Sequence, residues 1–455
     1  MIEGILIGLQ TALSFKNLMM VMIGCFSGTI IGMLPGLGPM TAIALMIPIT
    51  YGFDPSTGLI LMAGVYYGAV FGGSTSSILI NAPGVPGTVA TSFDGYPMAQ
   101  QGKAGKALAI AAYSSFAGGT ISAIFLLIAA PSLSLVSLSF RSPDYFGLMI
   151  LGLTAVAAFS SKGNFLKAMM MVVLGLMLAS VGQDTLSDIP RFTFDNMNLS
   201  DGISFVLVVM ATFAMSEALT IIFKANDPTK AAKQISLSQL GSIKLDKDET
   251  KKMVTTIPRS SVLGFIIGVL PGAGATIASF LAYGMERNFV NDEEKQKFGK
   301  GSVNGIAAPE TANNAACSGS FVPLLTLGIP GSGTTAVMLG ALLGFGIQPG
   351  PRLYQTNPEI FWSVIMSMYI GMVVLLILNL PLIPYIARVL ATPRTFLIPL
   401  ILFFSLTGVY LMSFNNFDIY MMIGIAVVAT ILRLYDFPMP PLILAFVLGL
   451  SLIHI

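Results

Sequence analysis

Long apolar runs recur from one end of the chain to the other, separated by short polar or Pro/Gly-rich stretches. Leu18 to Leu34, Ala104 to Ala130, Ile203 to Phe223, Phe361 to Leu380 and Thr395 to Met412 are each long enough, as a helix, to cross a hydrocarbon layer of ~30 Å. The pattern predicts an all-α polytopic membrane protein with about twelve transmembrane helices. One extended polar stretch, 224–258, splits it near the middle and carries Lys224, Lys230, Lys233, Lys244, Lys247, Lys251 and Lys252. The positive-inside rule places that stretch in the cytoplasm. The loop from Gln183 to Asp201 holds Asp184, Asp188, Asp195 and Asp201 against the single Arg191, which suits the outer face. The expected organisation is therefore a first membrane repeat over 1–223, a cytoplasmic linker over 224–258 and a second membrane repeat over 259–455.

Composition agrees with the pattern. Hydrophobic residues make up 55% of the chain and charged ones 10%, less than half the roughly 25% of a soluble domain. A net charge of +2 gives no nucleic-acid stripe, and 12 of the 23 Lys and Arg fall between Lys224 and Lys300, which reports orientation rather than a ligand. The first sixteen residues lack a basic n-region and a small-residue cleavage pattern, so no signal peptide is expected. Cys25 and Cys317 lie in apolar or Gly/Ser-rich segments and are expected to be buried free thiols.

Comparison of the chain with itself shows an internal repeat. Gly28-Thr-Ile-Ile-Gly32-Met-Leu-Pro35-Gly36-Leu-Gly38 matches Gly264-Phe-Ile-Ile-Gly268-Val-Leu-Pro271-Gly272-Ala-Gly274 at eight of eleven positions, at an offset of 236. Each half then reaches a second break, Asn81-Ala-Pro83-Gly84-Val-Pro86-Gly87 in one and Gly328-Ile-Pro330-Gly331-Ser332-Gly333-Thr334 in the other. The charge pattern puts the segment after the first of these inside and its counterpart outside, so the repeats are expected to be inverted. Pro and Gly that interrupt a helix, or form a re-entrant hairpin, near the membrane midplane free backbone amides and carbonyls. These are tolerated where they are buried in protein or line a cavity. The amides attract anions and the carbonyls coordinate cations.

The candidate substrate- and ion-binding residues follow from these breaks and the polar residues beside them. They are Pro35, Gly36, Gly38, Ser74, Thr75, Ser76, Asn81, Pro83 and Gly84 in the first half. In the second half they are Pro271, Gly272, Gly274, Glu310, Asn313, Asn314, Pro330, Gly331, Ser332 and Thr334. Sodium, if it is the coupling ion, is expected near Ser76, Asn81, Asn314 and Thr334. No Lys or Arg lies in these motifs, so an anionic substrate would be held by half-helix amides and hydroxyls. Glu310 is a carboxylate inside a polar motif at membrane depth, where acids are costly and point to function. Glu217 lies late in its span and reads equally as an interfacial acid. His454, the single histidine, is penultimate and reads as a solvated chain end. An enzyme is not expected: there is no GxxxxGK[ST] loop, HExxH motif, dinucleotide fingerprint or serine–histidine pair. An ion or anion channel, with the broken helices as a filter, is the alternative reading.

The runs Gly32-Met-Leu-Pro35-Gly36-Leu-Gly38, Asn81-Ala-Pro83-Gly84 with Asp94-Gly95-Tyr96-Pro97-Met98-Ala99, and Ala308-Pro309-Glu310-Thr311-Ala312-Asn313-Asn314 with Leu327-Gly328-Ile329-Pro330-Gly331 resemble one family. It is the large membrane subunit of the bacterial tripartite tricarboxylate transporters, the TctA family. The resemblance spans nearly the whole chain. It implies uptake of citrate or another di- or tricarboxylate across the inner membrane, driven by a Na+ or H+ gradient, with no other cofactor. It also implies two partners, a small membrane subunit of about four spans and a periplasmic solute-binding protein that delivers the substrate.

Overall fold

A computed structural model describes residues 2–452 except 35–36, 142, 145, 148, 152, 155–164, 185–188, 225–240, 273 and 387–393. It is helical almost throughout. The first half contains α1 (Ile2–Ala12), α2 (Phe15–Met33), α3 (Gly38–Thr50), α4 (Pro55–Ile80), α5 (Val89–Met98), α6 (Ala104–Ser137) and α7 (Phe165–Ala179). After a short antiparallel pair, β1 (Gly182–Gln183) with β2 (Pro190–Arg191), come α8 (Phe205–Val209), a π-helical turn Met210–Met215, and α9 (Ser216–Lys224). The second half contains α10 (Lys247–Val269), α11 (Gly274–Phe289), α12 (Asp292–Lys295), α13 (Val303–Leu327), α14 (Gly333–Gly344), α15 (Leu353–Thr356) and α16 (Pro358–Asn379). It ends with α17 (Ile383–Ile386), α18 (Arg394–Ser413), α19 (Asn416–Leu434) and α20 (Pro440–Leu452).

Among the described residues, six helical stretches have the length and apolarity to cross a membrane: Phe15–Met33, Pro55–Ile80, Pro86–Ser137, Phe205–Phe223, Pro358–Asn379 and Asn416–Leu434. Further apolar helices of 10–17 residues accompany them. Four of the five apolar runs picked out above coincide with α2, α6, α16 and α18, closely except that α6 continues beyond Ala130 to Ser137. The fifth contains the π turn, which a run of Val, Leu, Met and Phe does not reveal. Both cysteines are buried and free.

The helix ends are written locally. Ser14 and Asp54 cap α2 and α4 through their side chains, and Asp246 with Glu249 forms a capping box on α10. The two matched Pro-Gly motifs end their helices identically. Leu34 (φ −79, ψ 115) and Leu270 (φ −74, ψ 122) leave the helix extended, each donating its N–H to the carbonyl three residues back. Gly38 and Gly274 then start the returning helices with φ of +66° and +61°, a left-handed turn that suits glycine. The second breaks also match: α4 ends on Asn81 and α13 on Gly328, both left-handed.

Each half holds a helical hairpin, α2–α3 and α10–α11. Its first leg packs in parallel on the long helix that follows. A Cβ on Gly28 would sit 2.3 Å from the Val65 carbonyl and one on Gly32 2.1 Å from that of Ala69. On α10, Gly264 and Gly268 meet the Ala312 and Ala316 carbonyls at 2.4 and 2.3 Å. Both residue numbers rise together in each pair, which is what makes the packing parallel, and only glycine permits backbones this close. At the interface of the halves the order reverses: Tyr67 meets Ser318 while Ser74 meets Glu310, so α4 and α13 cross antiparallel. Helix α6 runs parallel to α13, with Gly118 on Thr311, Ser122 on Ala315 and Ser137 on Thr326.

Candidate functional site

Glu310 sits fully buried in the middle of α13. Its carboxylate accepts three hydroxyls, from Thr91 on α5 at 2.5 Å, Ser74 on α4 at 2.7 Å and Ser115 on α6 at 2.8 Å. All three donors belong to the first half and the acceptor to the second. An ionised carboxylate moved away from water and left without a counter-charge costs several kcal/mol. Hydroxyl donors lower that cost without supplying charge, and among the described residues no cationic side chain is hydrogen-bonded to this carboxylate.

A polar strip continues along the same helix. Asn313 is fully buried with neither amide atom partnered, and Asn314 donates to the Glu310 carbonyl at 3.1 Å while its own Oδ1 has no partner. Asn313 faces the first-half break, where a Cβ on Gly87 would lie 2.4 Å from its Oδ1. One phenol, Tyr66, faces the second-half break, and its neighbour Tyr67 meets α13 before that break. The Tyr66 hydroxyl lies 3.5 Å from Ser332 Oγ and Tyr67 2.6 Å from Ser318 Oγ. Two of the Glu310 donors, Ser74 and Ser115, also line a cavity of about 10 Å³ with Thr75, Asn379 and the apolar Phe71, Leu108, Ala111 and Ala112, with space for about one water. Asn379 Oδ1 is buried there and unpartnered.

The structure distributes the other sequence candidates as follows. Thr75 lines the cavity, and Ser76 turns its hydroxyl to the Gly73 carbonyl at 3.1 Å. Asn81 is exposed at φ 51° and acts through its backbone as the cap of α4. Pro83 and Gly84 bring the first-half break against the hairpin, where a Cβ on Gly84 would lie 1.8 Å from the Gly32 carbonyl. On the other side, Pro271, Gly272 and Gly274 form the hairpin tip and Pro330 and Gly331 the break it meets. The Gly272 N–H donates to the Gly331 carbonyl at 3.0 Å. Ser332 caps α14 in a box with Thr335, and Thr334 is buried in its first turn. Pro35, Gly36 and His454 lie outside the described residues. Among the described residues, no side-chain hydrogen bond joins Ser76, Asn81, Asn314 and Thr334 to one another.

Glu217 is engaged by Arg433, whose Nη2 donates to the Thr212 carbonyl at 3.0 Å and whose guanidinium lies 5.8 Å from the Phe213 ring centre. The pair spans α9 and α19 and braces the π turn, which leaves carbonyls free for side chains. Three polar groups beyond the sequence candidates emerge from the structure. Thr91 and Ser115 complete the Glu310 cradle. Glu286, fully buried on α11, accepts from Thr256, Arg259 and Asn304, tying both legs of the second hairpin to α13. Asp94 accepts from the Gly301 and Ser302 amides and the Tyr283 hydroxyl, which fixes α5 to the start of α13.

Against known proteins, residues 18–444 match the family model described as the tripartite tricarboxylate transporter TctA family. An uncharacterized 52.8 kDa protein in the TAR-I ttuC' 3' region of Agrobacterium vitis is 42% identical over 449 residues, covering 99% of this chain and 88% of the relative. An uncharacterized protein in the TAR-II ttuC' 3' region of the same organism is 43% identical over 186 residues, covering 41% of this chain and 76% of the relative. No solved structure matches.

Proposed function

The chain belongs to the tripartite tricarboxylate transporter TctA family, and from that premise we propose that it is the large membrane subunit of a secondary transporter for a small carboxylate, citrate or another di- or tricarboxylate. In this reading it works in the bacterial inner membrane, driven by a Na+ or H+ gradient. A periplasmic solute-binding protein delivers the substrate, and a small membrane subunit of about four spans accompanies it.

The observation that carries the proposal is the Glu310 cradle, a buried carboxylate of one half solvated only by hydroxyls of the other. A movement between the halves would change how many donors reach the carboxylate and so its affinity for the coupling ion. That is the differential interaction an alternating-access cycle requires. The halves are read as inverted repeats within about twelve spans. The antiparallel crossing of α4 and α13, set against the parallel packing inside each half, supports that reading. The substrate carboxylates are assigned to the amides and hydroxyls at the two second breaks, with Asn313 against the first and Ser332 and Thr334 at the second. A coupling cation supplies the positive charge that the motifs themselves lack.

The test is labelled-citrate accumulation, followed by a panel of di- and tricarboxylates. It uses cells without their own carriers that express this chain with its small membrane and periplasmic partners. Saturable, concentrative uptake that needs all three proteins is expected. Loss of no substrate's uptake when this chain is deleted would overturn the proposal.

A further inference from the structure

The reading of Glu310 as the coupling group leaves open which ion it takes, and the geometry of its cradle bears on that choice. Hydroxyl oxygens lie 2.5, 2.7 and 2.8 Å from the carboxylate oxygens, the separations of direct O–H···O hydrogen bonds. A buried carboxylate with hydroxyl donors and no cationic side chain bonded to it is neutralised by a proton at lower cost than by staying ionised. Both carboxylate oxygens are already occupied, Oε1 by Thr91 and Oε2 by Ser74 and Ser115. The adjoining cavity of about 10 Å³ has the size for one water, with Ser74, Ser115 and the unpartnered Asn379 Oδ1 on its wall. Two of the three donors to Glu310 thus sit between the carboxylate and that cavity.

The neighbouring charged groups do not compete. On α5, Asp94 is held by the Gly301 and Ser302 amides and Tyr283. On α6, Lys106 is paired with Asp246 and Glu249. On α10 and α11, Arg259 and Glu286 are paired with each other. Tyr67 on α4 is bonded to Ser318. The remaining charged side chains of these helices and of α13 and α16, Lys247, Asp248, Lys251 and Lys252 on α10, Arg287 on α11 and Glu359 on α16, lie near helix ends rather than in the buried centre, and the rest are tyrosines and Cys317, types that are neutral at physiological pH.

We propose that Glu310 binds and releases the coupling proton and that Thr91 and Ser115, together with Ser74, are the positioning residues that hold it for that exchange. The proposal rests on the transport reading above. A proton from the aqueous phase adds to one Oε of the carboxylate to give the neutral acid, and its loss on the other side restores the carboxylate. No other atom or electron moves. Because the cradle is assembled from both halves, separating them exposes the acid to solvent without its donors, which links proton exchange to the conformational cycle.

The test is infrared difference spectroscopy of the purified full-length chain, titrated from about pH 9 to about pH 4, first in choline chloride and then in sodium chloride. A protonated-carboxyl C=O band should grow as pH falls and be missing in Glu310→Gln. Thr91→Val and Ser115→Ala should each move its midpoint by about one pH unit, and Thr91→Ser should return it. Sodium should leave the midpoint unchanged. A band that survives in Glu310→Gln, a midpoint unmoved in both hydroxyl variants, or a band converted to carboxylate by sodium at fixed pH would each overturn the proton assignment. The last result would leave carboxylate transport standing, since substrate accumulation tests it separately. If Glu310→Gln fails to fold, the two hydroxyl variants carry the test.

Discussion

The three donors to Glu310 lie 195, 219 and 236 residues away in the sequence, one on each of three helices. That separation explains what could be read in advance at this scale. Glu310, Asn313 and Asn314 stand out because they are polar within one motif, and Ser74 because it belongs to a Ser/Thr cluster. Thr91 and Ser115 are ordinary hydroxyls beside small apolar residues, with no spacing that marks them, and only the tertiary packing gives them a partner. Asn81 illustrates the reverse case, a conspicuous residue in a conspicuous motif whose side chain is exposed and whose backbone caps α4. Its left-handed φ of 51° predicts that Asn81→Gly keeps wild-type stability and Asn81→Ala loses about 1 kcal/mol. Thermal unfolding in detergent checks both. Glu310→Gln should keep the fold but cut gradient-driven uptake by about tenfold or more. Uptake at the wild-type rate in that variant would remove Glu310 from the coupling role.

At the scale of elements, the two matched Pro-Gly motifs adopt matched local geometry. The Pro-Gly motifs end α2 and α10 with the same dihedral angles and start α3 and α11 with the same left-handed glycine. The sequence could announce a break at each motif, but not that the chain folds back there into a hairpin whose first leg lies parallel to the next long helix. That depends on the glycine contacts with Val65, Ala69, Ala312 and Ala316. A larger side chain there forces the helices apart, so Gly32→Val and Gly268→Val should each destabilise the protein by about 1–3 kcal/mol, with less folded protein recovered from membranes. A normal yield of both would mean that the close approach is dispensable.

A second element-scale prediction concerns α12, tied to α10 by Lys252–Glu294 at 2.9 Å and closed on itself by Lys297–Glu294 at 2.6 Å. Burial pulls the Glu294 carboxyl upward, but the hydrogen bonds and charges of Lys297 and Lys252 outweigh it and hold it below its ordinary value. A carboxyl lowered in the folded state contributes stability above its unfolded value of about 4.3, which is lost as pH falls through the lower folded value. Hydrogen-exchange protection of residues 292–300 should therefore stay level from neutral pH down to about pH 5 and decline only below about pH 4. Protection that fell already between pH 7 and 5 would show that the tie contributes nothing.

Across the whole molecule, composition and hydropathy announce a membrane protein, and the charge of the 224–258 stretch divides it. The contacts that make one molecule of two halves are long-range and invisible in the sequence. Lys106 joins the start of α6 to Asp246 and Glu249 at the head of α10, Asp94 anchors α5 to the start of α13, and the Glu310 cradle closes the centre. Local sequence encodes where helices begin and break. It does not encode which buried hydroxyl meets which carboxylate across the interface, because those pairings arise only once both halves are folded and docked. In the proposed function this interface couples an ion gradient to carboxylate movement. The most direct measurement is labelled-citrate uptake into proteoliposomes holding the chain and its small membrane partner, with the periplasmic protein added outside, with and without imposed proton and sodium gradients. Saturable accumulation above the external concentration that collapses when the gradient is removed and is lost in Glu310→Gln is the expected result. Flux that only equilibrates citrate across the membrane, rises linearly with its concentration and ignores both gradients would contradict it and make the protein a channel.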